Sequence, residues 1–165
     1  MRVSTRLSIL TGTALAAAGV AVAGAPAAAA DPIGPTLTSA PISVYQIPAV
    51  GVQITGLGLP DLLFSSVNAS SPGKGRTTFT LPVSDAPCWT SAALTLVRIN
   101  YVNLANGTSG STSLRPCTPY GSLPDAPTVD TGSGPVAITV AIVGAEGYPN
   151  AGQPSLPGIG GFVAP

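Results

Sequence analysis

Residues 88–117 read CWTSAALTLVRINYVNLANGTSGSTSLRPC, and the fold is decided there. The stretch holds both cysteines of the chain and its one tryptophan, Trp89. From Ala93 to Leu104 the residues alternate as a strand does. One face carries Ala93, Thr95, Val97, Ile99 and Tyr101. The other carries Leu94, Leu96, Arg98, Asn100, Val102 and Leu104, interrupted by polar groups at its middle. The first is the cleaner core face. Asn106-Gly107 then matches a two-residue type I′ turn, which needs positive φ at both positions, and Thr108 to Leu114 can return antiparallel. With that turn centre Cys117 falls opposite Leu96 rather than Cys88. A Cys88–Cys117 bridge therefore requires a longer turn or a bend of the chain near Trp89, and the bend is the favoured alternative.

Working back from this arm, Thr77 to Val83 reads as a strand interrupted at Pro82, placed at an edge or near a bulge. Asn68 to Arg76 reads as a loop rich in Ser and Gly. Leu62 to Val67 is short and apolar, a strand or one helical turn. Val50, Val52 and Ile54 alternate with Gly51, Gln53 and Thr55 as a half-buried strand. Ile42 to Ile47 is a first strand ended by Pro48. Working forward, Pro116 to Pro135 is loop. Val136, Ile138, Val140 and Ile142 alternate with Ala137, Thr139, Ala141 and Val143, the cleanest strand pattern in the chain. Gly144 to Pro165 is rich in Gly and Pro, with Ile159, Phe162 and Val163 able to add a last short strand.

Short strands separated by turn signals predict an all-β fold, a single antiparallel β-sandwich. The expected organisation is a leader at 1–30, an extended arm at 31–41, the sandwich at 42–143 and a Gly/Pro-rich segment at 144–165. The leader has Arg2 and Arg6 before the apolar run Leu7 to Val22, and small residues Ala28-Ala29-Ala30 before Asp31. That is the pattern of a secretory signal peptide cleaved after Ala30. Export places the cysteines in an oxidising compartment, where Cys88 and Cys117 pair as one disulfide. Closing that loop stabilises a fold by roughly 3–4 kcal/mol in the chain-entropy model.

The composition narrows the chemistry. Of the 165 residues, six are basic and six acidic. Setting aside Arg2 and Arg6 leaves four basic against six acidic side chains, a balance unsuited to phosphate backbones, so no nucleic-acid partner is expected. Lys74-Gly75-Arg76 is too short a basic run to change that. No histidine occurs anywhere, which removes Ser-His-Asp and Cys-His nucleophile sites and histidine-ligated zinc. Ser71-Pro72-Gly73-Lys74 matches S-x-x-K in form, but Pro72 and Gly73 oppose the helix that the motif needs. The acids of the mature chain are Asp31, Asp61, Asp85, Asp125, Asp130 and Glu146, mostly beside Pro or Gly, where Asp serves turns. Asp125 and Asp130 could share a calcium ion but lack the EF-hand spacing. Asn68-Ala69-Ser70 and Asn106-Gly107-Thr108 match the glycosylation sequon by chance in this context. Tyr45, Tyr101, Tyr120, Tyr148 and Trp89 could line a sugar-binding face, though aromatics in such folds more often pack.

Three phrases carry a family likeness. Tyr101-Val102-Asn103-Leu104-Ala105-Asn106-Gly107-Thr108-Ser109-Gly110, then Thr131-Gly132-Ser133-Gly134-Pro135-Val136, then Pro157-Gly158-Ile159-Gly160-Gly161-Phe162-Val163, resemble the pattern of small uncharacterised secreted actinobacterial proteins. The likeness covers the last 65–70 residues. It implies an immunoglobulin-like sandwich and an extracellular or envelope location, and transfers no catalytic residue. The immunoglobulin hallmarks themselves do not fit, because Trp89 directly follows the first cysteine and the cysteines lie close in sequence.

These readings predict a secreted, noncatalytic binding or structural module of the cell envelope or medium, with no cofactor, no metal site and no catalytic residue. Its ligand and partner, an envelope component or another protein, stay open, and no stable membrane insertion is expected once the leader is cleaved. The alternatives are a secreted hydrolase using Asp carboxylates and an envelope-embedded β-oligomer or pore.

Overall fold

The structure is a computed structural model, and it describes residues 39–82, 86–117 and 124–165. The expected leader, most of the N-terminal arm, Asp31, Asp85 and Tyr120 lie outside the described residues.

The described chain is all β apart from two 3-10 turns. In order it forms β1 (Ala40–Ile42), β2 (Tyr45–Ile47), β3 (Ala49–Ile54), β4 (Pro60–Ser65), β5 (Asn68–Gly73) and β6 (Arg76–Thr80). The 3-10 turns Ala86–Trp89 and Ser91–Leu94 follow, then β7 (Thr95–Asn103), β8 (Ser109–Leu114), β9 (Thr128–Asp130), β10 (Gly134–Gly144) and β11 (Gly158–Ala164). The pairings are antiparallel throughout. They build a four-stranded sheet in the order β1-β5-β6-β9, a five-stranded sheet in the order β2-β11-β10-β7-β8, and the β3-β4 hairpin.

The central arm behaves as its alternation dictates. In β7, Thr95, Val97 and Ile99 are buried while Arg98 and Asn100 are exposed. In β10, Val136, Ile138, Val140 and Ile142 are buried, every second residue as a strand with one covered face requires. These rows meet Phe79 of β6, which is fully buried. Its ring lies 5.9 Å from that of Phe162 on β11, edge to face, and 6.4 Å from that of Tyr101 on β7. One side chain of the four-stranded sheet thus contacts two strands of the five-stranded sheet, an arrangement favourable to aromatic quadrupoles. Tyr101 also covers Gly110, its direct partner on β8.

Several expectations need correction. The single strand expected at Ile42 to Ile47 is two strands in different sheets: β1 pairs with β5, and β2 pairs with β11. The chain crosses from one sheet to the other at Ser43 and Val44. The expected loop at Asn68 to Arg76 is β5 and its turn into β6. Ala69 and Ser71 are buried on the inner face of β5, so tertiary packing overrides the weak strand propensity of small polar residues. The Ser70–Gly73 step is bulged, and it contains Pro72, which has no N–H to give a ladder. β6 is interior, between β5 and β9, and ends before Pro82. The expected loop at Pro116 to Pro135 contains β9 and the start of β10. β11 inserts between β2 and β10 and buries Phe162.

The hairpin turn also differs. Val102 pairs with Ser109 and Val97 with Leu114, so the register is shifted by two from one centred on Asn106-Gly107. The loop is organised by Asn103, a fully buried residue. Its Oδ1 accepts from the N–H groups of Ala105 (2.8 Å) and Asn106 (3.3 Å). Its Nδ2 donates to the carbonyls of Thr131 (2.9 Å) and Ser133 (3.1 Å). A side chain that satisfies four backbone groups outweighs a two-residue turn preference.

The Cys88–Cys117 disulfide is formed, with 5.4 Å between Cα atoms. Even in the observed register Cys117 would face Leu94, so the two 3-10 turns between Cys88 and β7 take up the difference. The longer turn and the bend near Trp89 are both present.

Candidate functional site

The crossing from β1 to β2 creates the most distinctive surface. β2 pairs with Gly161, Gly160 and Ile159 of β11 and stops there, because the preceding residues run to the other sheet. The last residues of β11 consequently lose their neighbour on that side. An open trough of about 770 Å³ lies there. Ala137 and Gly161, directly paired across β10 and β11, are among its lining residues. Ile42, Tyr45, Leu104 and Val163 add bulk around them. Among the described residues, no charged side chain lines it. Tyr45 is 81% exposed and Val163 69%, so large apolar groups face solvent at this site. Pockets of this size with mostly apolar walls are the usual form of small-molecule sites. The hydroxyls of Tyr45 and Ser43 can orient a bound molecule, while that of Ser71 is engaged with Gly73.

A second apolar surface belongs to the β3-β4 hairpin. Alternation in β3 is present, but Ala49 and Gly51 form the buried side, opposite Ser65 and Leu63. A Cβ on Gly51 would come within 2.6 Å of the Gly152 carbonyl oxygen and 3.1 Å of Ile142 Cδ1, so only glycine allows this approach. The larger residues therefore point outward. Val50 pairs with Phe64, Val52 with Leu62 and Ile54 with Pro60. Phe64 is 61% exposed and Leu57, at the tip, 87%.

Of the described residues considered for catalysis, Ser71 lines the trough, and neither Lys74 nor a described acid joins it there. Ser71 Oγ donates to its neighbour Gly73 (2.7 Å) on strand β5, and Lys74 follows in the turn to β6, so S-x-x-K has no helix beneath it. Asp61 lies on β4 and accepts from Gln53 Nε2 at 3.3 Å. Asp125 accepts from the Arg115 N–H at 2.8 Å. Asp130 pairs with Arg76 at 3.6 Å on the surface. Glu146 is exposed beyond β10. Each described acid has its own surroundings, and none of them lines the trough. Among the described residues, no group of three or more His, Cys, Asp or Glu is placed to hold a metal ion, and no helix is long and apolar enough to cross a membrane.

Of the aromatics, Tyr101 packs in the core while Tyr45, Trp89 and Tyr148 are exposed. Tyr45 was legible as a candidate, but Ala137 and Gly161 were not. Their signal was the outward face of β10, Ala137-Thr139-Ala141-Val143, which carries no charge on a strand whose other face is already fully apolar.

Comparison with protein-family models, with curated proteins and with solved structures gives no match.

Proposed function

We propose that this protein is an exported, disulfide-stapled, immunoglobulin-like β-sandwich that acts as a noncatalytic binding module of the cell envelope or extracellular medium. The leader at 1–30 and the likeness to small secreted actinobacterial proteins support the location. The two facing sheets joined by Phe79 support the sandwich.

The trough at Tyr45, Ala137 and Gly161 carries the functional reading. Its described walls carry no charged side chain and suit an apolar chain, and the Tyr45 and Ser43 hydroxyls suit one polar end group. The ligand class is accordingly an acyl chain or a molecule of similar slender, apolar shape. No observation favours the carboxylate hydrolase, since Asp61, Asp125 and Asp130 engage separate local partners and Glu146 is exposed beyond β10.

The test is titration of the mature protein with a dansylated medium-chain fatty acid, alongside Ala137→Trp. Saturable binding by the native protein and a loss of at least about tenfold in the variant, from filling an apolar site, support the reading. Absence of saturable binding, or equal binding by Ala137→Trp with an unchanged fold, overturns it.

A further inference from the structure

The β3-β4 hairpin ends in a three-residue loop, Gly56-Leu57-Gly58. The Thr55 N–H donates to the Leu59 carbonyl at 2.9 Å, and the Gly58 N–H donates to the Thr55 carbonyl at 2.8 Å. Gly58 takes the positive φ of 77° that this closure needs. The turn is thus satisfied internally and leaves its side chains to solvent. Leu57 is 87% exposed, Leu59 61%, Leu62 54% and Ile54 44%. By register, Ile54 and Leu62 lie on the outer face, whereas Leu59 lies opposite Thr55 on the other face, and Leu57 occupies the apex. Exposed apolar side chains thus occupy both faces of the tip as well as its apex.

Its base is held. The Ile54 N–H donates to Ser91 Oγ at 2.8 Å, and Thr90 Oγ1 donates to Gln53 Oε1 at 2.9 Å. Both anchors belong to the segment that follows Cys88, so the disulfide arm braces the hairpin. Trp89, 74% exposed, adjoins these two anchoring residues in the chain.

We infer that this hairpin docks the protein on a zwitterionic lipid surface, with Leu57 and Leu59 entering the headgroup–acyl boundary and Trp89 seated at the interface. Charge selects this occupant. From Ala49 to Ser65 the only charged side chain is Asp61. The hairpin has no lysine or arginine to attract anionic lipid, and its carboxylate is set back from the apex. An exposed tryptophan one residue from Thr90, an anchor of the leucine-tipped hairpin, fits the membrane boundary, where an amphipathic ring is favoured. A second copy of the chain fits less well. Pairing through the outer face would cover Ile54, Leu62 and Phe64 but leave the apex at Leu57 uncovered. Docking of this kind lies on the membrane and spans nothing.

The single tryptophan supplies the readout. The native protein and Leu57→Ser/Leu59→Ser are mixed with phosphatidylcholine vesicles, with and without added phosphatidylglycerol, and Trp89 emission and cosedimentation are followed. The expected result is a blue shift with native protein, no gain from the anionic lipid, and partition at least about tenfold weaker in the variant, given the burial lost with two leucine side chains. Both substituted residues are exposed, so the variant keeps its fold, which circular dichroism verifies. No association with phosphatidylcholine, equal association by the variant, or association only with anionic lipid overturns the inference. So does lipid-free sedimentation as a dimer that the variant abolishes, because the hairpin then serves a second copy.

Discussion

Asn103 Nδ2 donates to the Thr131 carbonyl at 2.9 Å, joining the end of β7 to the residue that follows β9. The two strands belong to different sheets, so this buried amide is a cross-sheet tie as well as a turn former. Thr131 reinforces it from the other side, with Oγ1 2.8 Å from Thr77 Oγ1 on β6. Asn103→Leu keeps the volume and strands up to four backbone partners. The expected loss is about 2–4 kcal/mol in urea unfolding, with the buried carbonyl of Thr131 the costliest orphan.

Phe79→Ala tests the aromatic joint between sheets. The ring is fully buried and meets both Tyr101 and Phe162. Removing it should destabilise the protein by about 3–5 kcal/mol in the same assay. A loss below about 1 kcal/mol would mean that the sheets do not depend on this contact.

The disulfide closes the arm that braces the hairpin. Replacing Cys88 and Cys117 together by serine should cost roughly 3–4 kcal/mol of stability by the loop-entropy argument. Intact mass of native protein should be two hydrogens below the reduced form. Hydrogen exchange in the variant should rise first at Ile54, whose N–H is held by Ser91.

The Arg76–Asp130 pair is a contrasting case. Its partners are 57% and 87% exposed and 3.6 Å apart. Arg76→Ala should change stability by no more than about 0.5 kcal/mol, since exposed pairs gain little over solvation. A large loss would show that β9 relies on charge as well as on its ladder with β6.

β7 and β10 were legible because each buries one face, and large aliphatic residues at every second position announce that directly. β5 was not, because Asn68-Ala69-Ser70-Ser71-Pro72-Gly73 owes its strand to neighbours on both sides rather than to its own side chains. The strand at β11 was half legible: Phe162 marks the core, but the glycines resemble a loop. Gly158 lies so close to Ile47 that a Cβ would strike its carbonyl oxygen, so glycine serves strand packing here. Asn106-Gly107 encodes a two-residue turn locally, but the buried partners of Asn103 set a longer loop. The trough could not be read at all. It arises from β1 and β2 joining different sheets, a tertiary event that Ile42 to Ile47 does not encode as a pattern.

The most direct test of the binding reading is a residue-resolved one. Amide shifts of the isotopically labelled mature protein would be followed while decanoate is added below its micelle concentration. The account predicts saturable changes centred on Tyr45, Ala137, Gly161 and Val163, absent in Ala137→Trp. Changes confined to Leu57 and Leu59, or none at any residue, would contradict it.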